Sequence, residues 1–215
     1  DRTVPMLPTI LANDVCSLKT GVPRFALSVF VTLDAEGQVH GHRYEHTIIK
    51  CRVALSYEEA QEVIDGQASI DTEVDGALNA LLEYARAIRA RRILRGSLDL
   101  DLPEAEVIIG PNGEPLEIRR RQRLEAHRLI EDFMILANEV VAEDFEKKEI
   151  DGLYRVHEPP AAEKMEKLSE TLTLFGFKKP GGRLSPSEMQ ETLCSAAGKP
   201  EETLVNILVL RSLRR

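Results

Sequence analysis

The chain has 215 residues, of which 43% are hydrophobic and 30% are charged, a composition typical of an ordinary soluble globular protein. It contains no apolar run near the roughly 18 residues that a membrane helix needs, so no membrane span is expected. The net charge of −8 argues against a protein that coats itself in nucleic acid.

The chain opens with a proline-punctuated stretch from Asp1 to Leu18. Pro5 and Pro8 fix their own φ angles and restrict the residues before them, which predicts extended backbone. No charged and then apolar leader is visible at this start, so no secretion signal is expected. The three cysteines are scattered and form no Cys/His cluster, which predicts a reduced, cytoplasmic protein without structural zinc.

Two strands are predicted next, Arg24 to Leu33 and Val39 to Leu55, because β-branched and aromatic residues recur there in near alternation. A turn at Ala35 to Gly37 joins them into a hairpin. Even spacing places three histidines on one face of the second strand, namely His40, His42 and His46. A metal site is one interpretation of this row, and a solvated strand face is the simpler one.

A helix is predicted to begin after Ser56, because Ser56 and Glu59 have the spacing of a capping box. Tyr57 is then the first helical residue, at a junction from which a side chain can project towards a cleft. The alternative is a half-buried packing tyrosine, and the spacing does not decide between the two. A longer helix is predicted from Asp71 to Leu94, and Gly96 ends it.

A second hairpin is predicted from Ser97 to Ile109 and from Leu116 to Arg120, because Asn-Gly between them is a strong turn signal. Arginines flank this hairpin in two clusters, which are Arg86, Arg89, Arg91, Arg92 and Arg95, and then Arg119, Arg120, Arg121, Arg123 and Arg128. Guanidinium groups bind phosphate and stack on bases, so such clusters suit RNA. The alternative is a solvated face balanced by neighbouring glutamates.

The stretch from Arg123 to Glu158 begins as a long amphipathic helix. Its apolar residues recur at helical spacing, as Leu124, Ala126, Leu129, Ile130, Phe133, Met134, Ala137, Val140 and Val141. A polar stripe of His127, Glu131 and Asn138 runs beside that apolar face instead of opposite it. The helix is therefore either a core helix with polar residues at its boundary or the border of a polar cavity that faces Glu131.

The chain ends in three predicted helices, which are Ala161 to Phe175, Pro186 to Ala196 and Pro200 to Leu213. Ser185 and Ser187 are candidate caps for the second of them. With no internal repeat and no linker, the simplest architecture is one α+β unit of β-hairpins or a mixed sheet packed with long amphipathic helices. The sequence has no Gly-rich phosphate loop and no GxSxG elbow, and nothing in it supports nucleophilic catalysis by a side chain.

Four stretches, in order, resemble the catalytic domain of the ribonuclease II / ribonuclease R family. They are VPMLP with LANDVCSL near the start, LSYEEAQEVIDG, LIEDFMILANEVVA followed by LYRVHEPP, and LVLRSLRR at the end. The resemblance covers essentially all 215 residues, as a partial catalytic domain without its first and last segments. Arg155 to Glu158 and Pro180 to Gly182 are most similar to the ribonuclease R branch.

The resemblance implies an α+β domain that encloses a channel for single-stranded RNA. It implies a processive 3′→5′ exoribonuclease that releases nucleoside 5′-monophosphates and depends on Mg²⁺. The aspartates that bind Mg²⁺ in the family are expected upstream of Asp1, so the fragment alone is expected to be inactive and no metal ligand is expected within it. Flanking OB-fold RNA-binding domains, a monomeric state and a cytoplasmic location are also implied.

Two site residues carry over from the family pattern, and both are expected to contact RNA. Tyr57 matches the tyrosine near the 3′-terminal nucleotide, and Glu131 matches the glutamate at the reaction centre. Asn138 continues the same stripe and is a further expected RNA contact. Leu100 is also an expected RNA contact, because it stands where some relatives carry a base-stacking Phe. A leucine there puts the usual aromatic clamp in doubt. That departure favours an alternative, a degenerate relative that binds RNA without cleaving it.

Overall fold

The computed structural model describes residues 4–100, 102–177 and 185–213. It has an α+β architecture of antiparallel hairpins and long helices, which confirms the fold class predicted from the sequence. The Pro180 to Gly182 detail lies outside the described residues, as do Asp101 and the final two arginines. Within the described ranges, no helix combines the length and the apolar content needed to cross a membrane.

The first hairpin consists of β1, Pro23–Leu33, and β2, Val39–Lys50. The strands pair antiparallel, with Phe25 opposite Ile48 and Val31 opposite His42. The turn includes Gly37, which has φ of 75°, and a Cβ there would come within 2.8 Å of the backbone nitrogen of Ile88. Only glycine therefore allows the turn to approach that helix so closely.

Three helices accompany this hairpin, which are α1, Tyr57–Ile64, α2, Thr72–Leu94, and α3, Glu125–Lys147. Their buried apolar residues form two small clusters. Leu82, Ala85 and Leu129 form one of them. The other consists of Ile88, Leu136 and Val140, against which the hairpin packs Val31, Leu33, Val39 and Tyr44. The helical spacing of apolar residues in α3 thus does produce a buried face, although Ile130 and Met134 are 43% and 60% exposed.

The second hairpin pairs β3, Ala105–Ile109, with β4, Pro115–Arg120. The remaining helices are α4, Ala162–Leu174, α5, Pro186–Ala196, and α6, Glu202–Ser212. These last three helices share a core of eight buried apolar residues, namely Met165, Leu168, Leu172, Met189, Leu193, Ala196, Val205 and Val209. Ser185 caps α5, as the sequence predicted, in a complete capping box with Glu188.

The chain divides into two compact units, and the single partial catalytic domain expected over residues 1–215 stays a prediction. Unit 1 comprises residues 1–88 and 124–144, and unit 2 comprises residues 89–123 and 145–215. Each unit has its own apolar clusters, which is why the division falls inside α2 and α3 and not at a linker. A linker is a feature of sequence composition, but a division of cores is decided only by packing.

Two local predictions differ from the structure. The proline-rich start contains a short helical turn at Leu11–Val15, because the carbonyl of Pro8 accepts backbone hydrogen bonds from Leu11 and Ala12. The predicted long strand from Ser97 shortens to Ala105–Ile109. The backbone N–H of Asp99 donates to the side chain of Gln190 on α5 at 2.9 Å, so this segment bonds to a helix instead of a neighbouring strand.

Candidate functional site

Tyr57 occupies the first position of α1, at the helix start that the sequence predicted. Ser56 Oγ accepts a hydrogen bond from the Glu59 backbone N–H at 3.1 Å, and Glu59 Oε2 accepts one from the Ser56 N–H at 2.7 Å. Both halves of the capping box are thus present, and they define where α1 begins. The ring of Tyr57 remains 42% exposed. The capping box therefore presents an aromatic side chain at the surface in a defined place.

The Tyr57 ring stacks on the ring of His127, in the first turn of α3. The ring centroids are 4.0 Å apart and the planes differ by 22°. One helical turn after Tyr57, Gln61 Oε1 accepts a hydrogen bond from the backbone N–H of Ala126 at 3.1 Å. These two contacts join one face of α1 to the start of α3. They bring Tyr57 to the polar stripe that the sequence placed on α3.

Glu131 lies one turn after His127 on the same side of α3 and is partly buried. Side chains at this spacing are neighbours, with about 5–6 Å between their Cβ atoms. Tyr57 stacks on His127, so it contacts α3 one helical turn before Glu131, although Tyr57 and Glu131 are far apart in the sequence. The structure thus brings the two predicted catalytic residues to one region of unit 1. Their roles in catalysis and in RNA binding remain predictions.

The other two predicted RNA contacts are Asn138 and Leu100. Asn138 is exposed on α3, about two turns and ~10 Å after Glu131. Leu100 belongs to unit 2, where it is partly buried against the core of α4, α5 and α6. A leucine is well suited to that position, because its side chain packs against the apolar residues of the core.

Two residues that shape this region were not recognised from the sequence as partners of Tyr57. His127 was identified only as a member of the polar stripe, and Gln61 was not singled out. The sequence position of each of these two residues did indicate which face of its helix it occupies. Gln61 follows Tyr57 by one helical turn and so shares its face of α1, and His127 stands at the third position of α3. Neither signal reveals that these two faces meet, because that contact is tertiary.

Pairing with carboxylates favours the balanced, solvated interpretation for clustered arginines of both groups. The pairs are Arg86 with Glu125, Arg119 with Glu106, Arg121 with Glu104, Arg123 with Asp99, and Arg128 with Glu125. Their N–O distances run from 2.8 Å for Arg119 to 3.7 Å for Arg121. The hydrogen bond from Arg119 lowers the pKa of Glu106, and the positive charges of Arg119 and Arg121 add to this effect.

The row of histidines on β2 does not share one environment. His40 Nε2 lies 2.8 Å from Asp34 Oδ2 in an exposed pair. His42 Nε2 lies 2.9 Å from Oδ1 of the buried Asp144 on α3, so a uniformly solvated face is wrong for His42. Burial raises the pKa of Tyr44, and the hydrogen bond to Asp144 and its negative charge raise it further. His42, Tyr44 and Asp144 therefore form a polar contact between the first hairpin and α3.

The described residues do not fit a magnesium site. Magnesium prefers several hard oxygen ligands, but no group of three or more His, Cys, Asp or Glu side chains in the described part of the chain is placed to hold an ion. Asp99 pairs with Arg123 at 2.8 Å. The buried carboxylates Asp132 and Asp144 lie on one helix about 18 Å apart along its axis, which is too far for them to share an ion.

Comparison with known proteins gives one consistent family. The RNB domain profile matches residues 1–215. Ribonuclease R of Aquifex aeolicus is 37% identical over 219 residues, and ribonuclease R of Thermotoga maritima is 34% identical over 220 residues. Each alignment covers 100% of this chain and 31% of the relative. The chain thus spans about a third of the length of these curated relatives.

Solved structures agree with this family. Mycoplasma genitalium RNase R in complex with ribose-methylated single-stranded RNA superimposes with a TM-score of 0.93 at 28% identity, covering 99% of this chain and 34% of that one. The structure of yeast Ssd1, described as a pseudonuclease, matches with a TM-score of 0.73 at 21% identity and covers 97% of this chain and 25% of that one. The second likeness concerns the fold alone.

Proposed function

The chain belongs to the RNB domain family, and from that premise we propose that it is the central part of the catalytic domain of a ribonuclease R-type exoribonuclease. The complete protein would degrade single-stranded RNA processively from the 3′ end and release nucleoside 5′-monophosphates. The observation that carries this proposal is the stacking of Tyr57 on His127, which lies one helical turn before Glu131 on α3, on a chain that matches the family profile throughout.

Tyr57 is suited to hold the base of the terminal nucleotide. Its ring is 42% exposed, and stacking of a base on an aromatic ring is worth about 1–3 kcal/mol and tolerates any sequence. Such a contact supports an enzyme that must accept each new 3′ end in turn. Glu131, as a neighbouring carboxylate, would accept hydrogen bonds from the hydroxyl groups of the terminal ribose. Both residues would position the RNA end, and neither would attack it.

Nucleases of this family are metal-dependent, and the metal here would be Mg²⁺, supplying the activated water and stabilising the leaving oxygen. The described residues do not fit that ion, so its ligands are proposed to lie upstream of Asp1. Residues of this chain would orient the RNA end relative to it. Flanking OB-fold domains, a monomeric state and a cytoplasmic location complete the proposal, and Asn138 would contact the RNA backbone farther along α3.

Leu100 favours a second candidate, a relative that binds RNA without cleaving it. The resemblance implies a base-stacking Phe at that position in some relatives, but Leu100 is partly buried against the core of unit 2. The fold by itself does not decide, because a protein described as a pseudonuclease shares it. The two candidates differ in one outcome, which is whether bound RNA is shortened.

The test uses the complete gene product and a single-stranded RNA labelled at its 5′ end. With Mg²⁺ we expect stepwise shortening from the 3′ end and release of nucleoside 5′-monophosphates, and with EDTA we expect binding alone. A circular RNA of the same sequence is the control, because an exonuclease cannot act on it. Binding without shortening in Mg²⁺ would support the second candidate, and cleavage of the circle would contradict both.

A further inference from the structure

His127 makes a second contact besides its stacking on Tyr57. Its Nδ1 atom accepts a hydrogen bond from the backbone N–H of Leu124 at 3.2 Å. Leu124 directly precedes α3 and His127 is its third residue, so the imidazole takes the place that Glu or Gln occupies in a capping box. The backbone N–H is necessarily the donor, and Nδ1 therefore carries no proton.

The imidazole ring of His127 also stacks on the ring of Tyr57. The centroid distance of 4.0 Å and the angle of 22° describe a stacked pair, and Tyr57 as a residue is 42% exposed. The hydrogen bond between Gln61 and Ala126 holds the next turn of α1 against the same helix start. The imidazole of His127 is thus held by its hydrogen bond to the Leu124 N–H at the start of α3, and it stacks on the ring of Tyr57.

We propose that His127 is a positioning residue, which holds the Tyr57 ring at the site of the 3′-terminal base by stacking on it. This proposal rests on the proposed function, because it takes Tyr57 to be the residue that the terminal base contacts. His127 acts through Tyr57 and need not touch the RNA. A nucleobase stacked on the open face of Tyr57 would extend the pair into a stack of three rings.

The two contacts of His127 can be separated by substitution. The bond to Leu124 needs only an acceptor, and glutamine supplies one at this position of a helix. The stacking needs only a flat ring, which phenylalanine supplies without an acceptor. The packing of α3 needs neither, because the neighbouring buried residues Ala126 and Leu129 form that contact. H127Q therefore tests the ring, and H127F tests the hydrogen bond.

The experiment uses the complete gene product and a single-stranded RNA with 2-aminopurine as its 3′-terminal base. Quenching of 2-aminopurine fluorescence in EDTA reports stacking of the terminal base without cleavage, and kcat/KM in Mg²⁺ reports turnover. We expect H127Q to lose most of the quenching and to lower kcat/KM by about 3- to 10-fold, the range for one lost aromatic pair. H127F should rescue both, and the melting temperature of each variant checks its folding.

A double substitution shows whether His127 acts through Tyr57. In the background of Tyr57→Leu, H127Q should change kcat/KM by less than about twofold, because the ring that it supports is already gone. If H127Q leaves quenching and kcat/KM unchanged and H127F lowers both, His127 only defines the helix start and the proposal is wrong. An additive double mutant, or wild-type protein that does not quench 2-aminopurine, overturns it as well.

The proposed function fails separately from this inference. Wild-type protein that quenches 2-aminopurine in a manner dependent on Tyr57 and His127, yet never shortens RNA in Mg²⁺, would remove the exonuclease and retain the positioning role. Wild-type protein that shortens RNA with no difference between H127Q and H127F would retain the exonuclease and remove the positioning role.

Discussion

The two units of the molecule differ in the side chains that they bury. Unit 2 has one core of eight buried apolar residues from α4, α5 and α6. Unit 1 has two clusters of three buried residues each, and two of its buried side chains are carboxylates, Asp132 and Asp144. In the described part of unit 2 the buried polar side chains are uncharged, and those of Thr192, Asn206 and Ser212 donate to carbonyls of their own helices.

This difference shows where the molecule is stabilised and where it presents chemical groups. A compact apolar core offers little for a ligand, whereas unit 1 exposes Tyr57 and keeps Glu131 at the edge of a buried helix face. Binding and catalytic sites need polar groups that are partly open to solvent, and such groups reduce the apolar surface available for packing. The four predictions below test this contrast between the units.

The largest expected effect is in the core of unit 2. Leu172 is 1% exposed, and Leu172→Ala should lower the free energy of unfolding by about 2–5 kcal/mol, because it removes buried methyl groups and leaves a cavity. Leu174 on the same helix is 86% exposed, and Leu174→Ala is the matched control with a change below about 0.5 kcal/mol. Urea denaturation measures both. If Leu129→Ala in unit 1 cost as much as Leu172→Ala, the contrast between the cores would have no energetic consequence.

In unit 1 the largest effect should appear in activity. Glu131→Ala in the complete protein should lower kcat by about 10- to 100-fold with little change in RNA affinity, because a positioning group acts chiefly in the transition state. Glu143→Ala, an exposed position on the same helix, is the control. Single-turnover cleavage and equilibrium binding separate the two quantities. Equal losses of rate and affinity would mean that Glu131 holds the substrate or the fold instead.

The polar contact between the first hairpin and α3 can be tested with two histidines on one strand. His42→Ala should cost about 1–3 kcal/mol of unfolding free energy, because the buried Asp144 then loses a hydrogen-bond donor. His40→Ala removes an equally short but exposed pair and should cost less than about 1 kcal/mol. Chemical denaturation gives both values. Equal costs would show that burial of Asp144 does not distinguish the two pairs.

The smallest effects belong to two matching capping boxes, one in each unit. Ser56→Ala and Ser185→Ala should each cost about 1 kcal/mol, because each removes the acceptor for a backbone N–H in the first turn. Only Ser56→Ala should also weaken stacking of a terminal 2-aminopurine, because α1 carries Tyr57. Thermal unfolding and fluorescence quenching distinguish the two effects. A loss of quenching in Ser185→Ala would contradict the assignment of RNA-end binding to unit 1.

Structure that depends on neighbouring residues was predicted well from the sequence. The capping box at Ser56 and Glu59 has both of its hydrogen bonds, and Asn112-Gly113 lies in the turn of the second hairpin. These features need residues no more than a few positions apart, so composition and spacing suffice to reveal them. The same holds for the buried face of α3, which follows from helical periodicity.

Structure that depends on distant residues was not predicted. The segment that contains Leu100 was expected to be a strand, but Gln190 on α5 supplies a hydrogen-bond partner from far along the chain. The row of histidines was expected to share one environment, but Asp144 on α3 pairs with His42 alone among them. Spacing on one element cannot reveal which element packs against it.

The sequence by itself therefore determined the α+β class, most of the helices and strands and the family resemblance, and it predicted Tyr57 and Glu131 as site residues. Only the tertiary structure decided that the chain forms two units, that Leu100 packs in a core, and that Tyr57 rests on His127 one turn from Glu131. The physical reason is the distance along the sequence between the residues that interact. Hydrogen bonds and periodicity within an element are encoded locally, whereas contacts between elements depend on which apolar and polar faces the whole fold brings together.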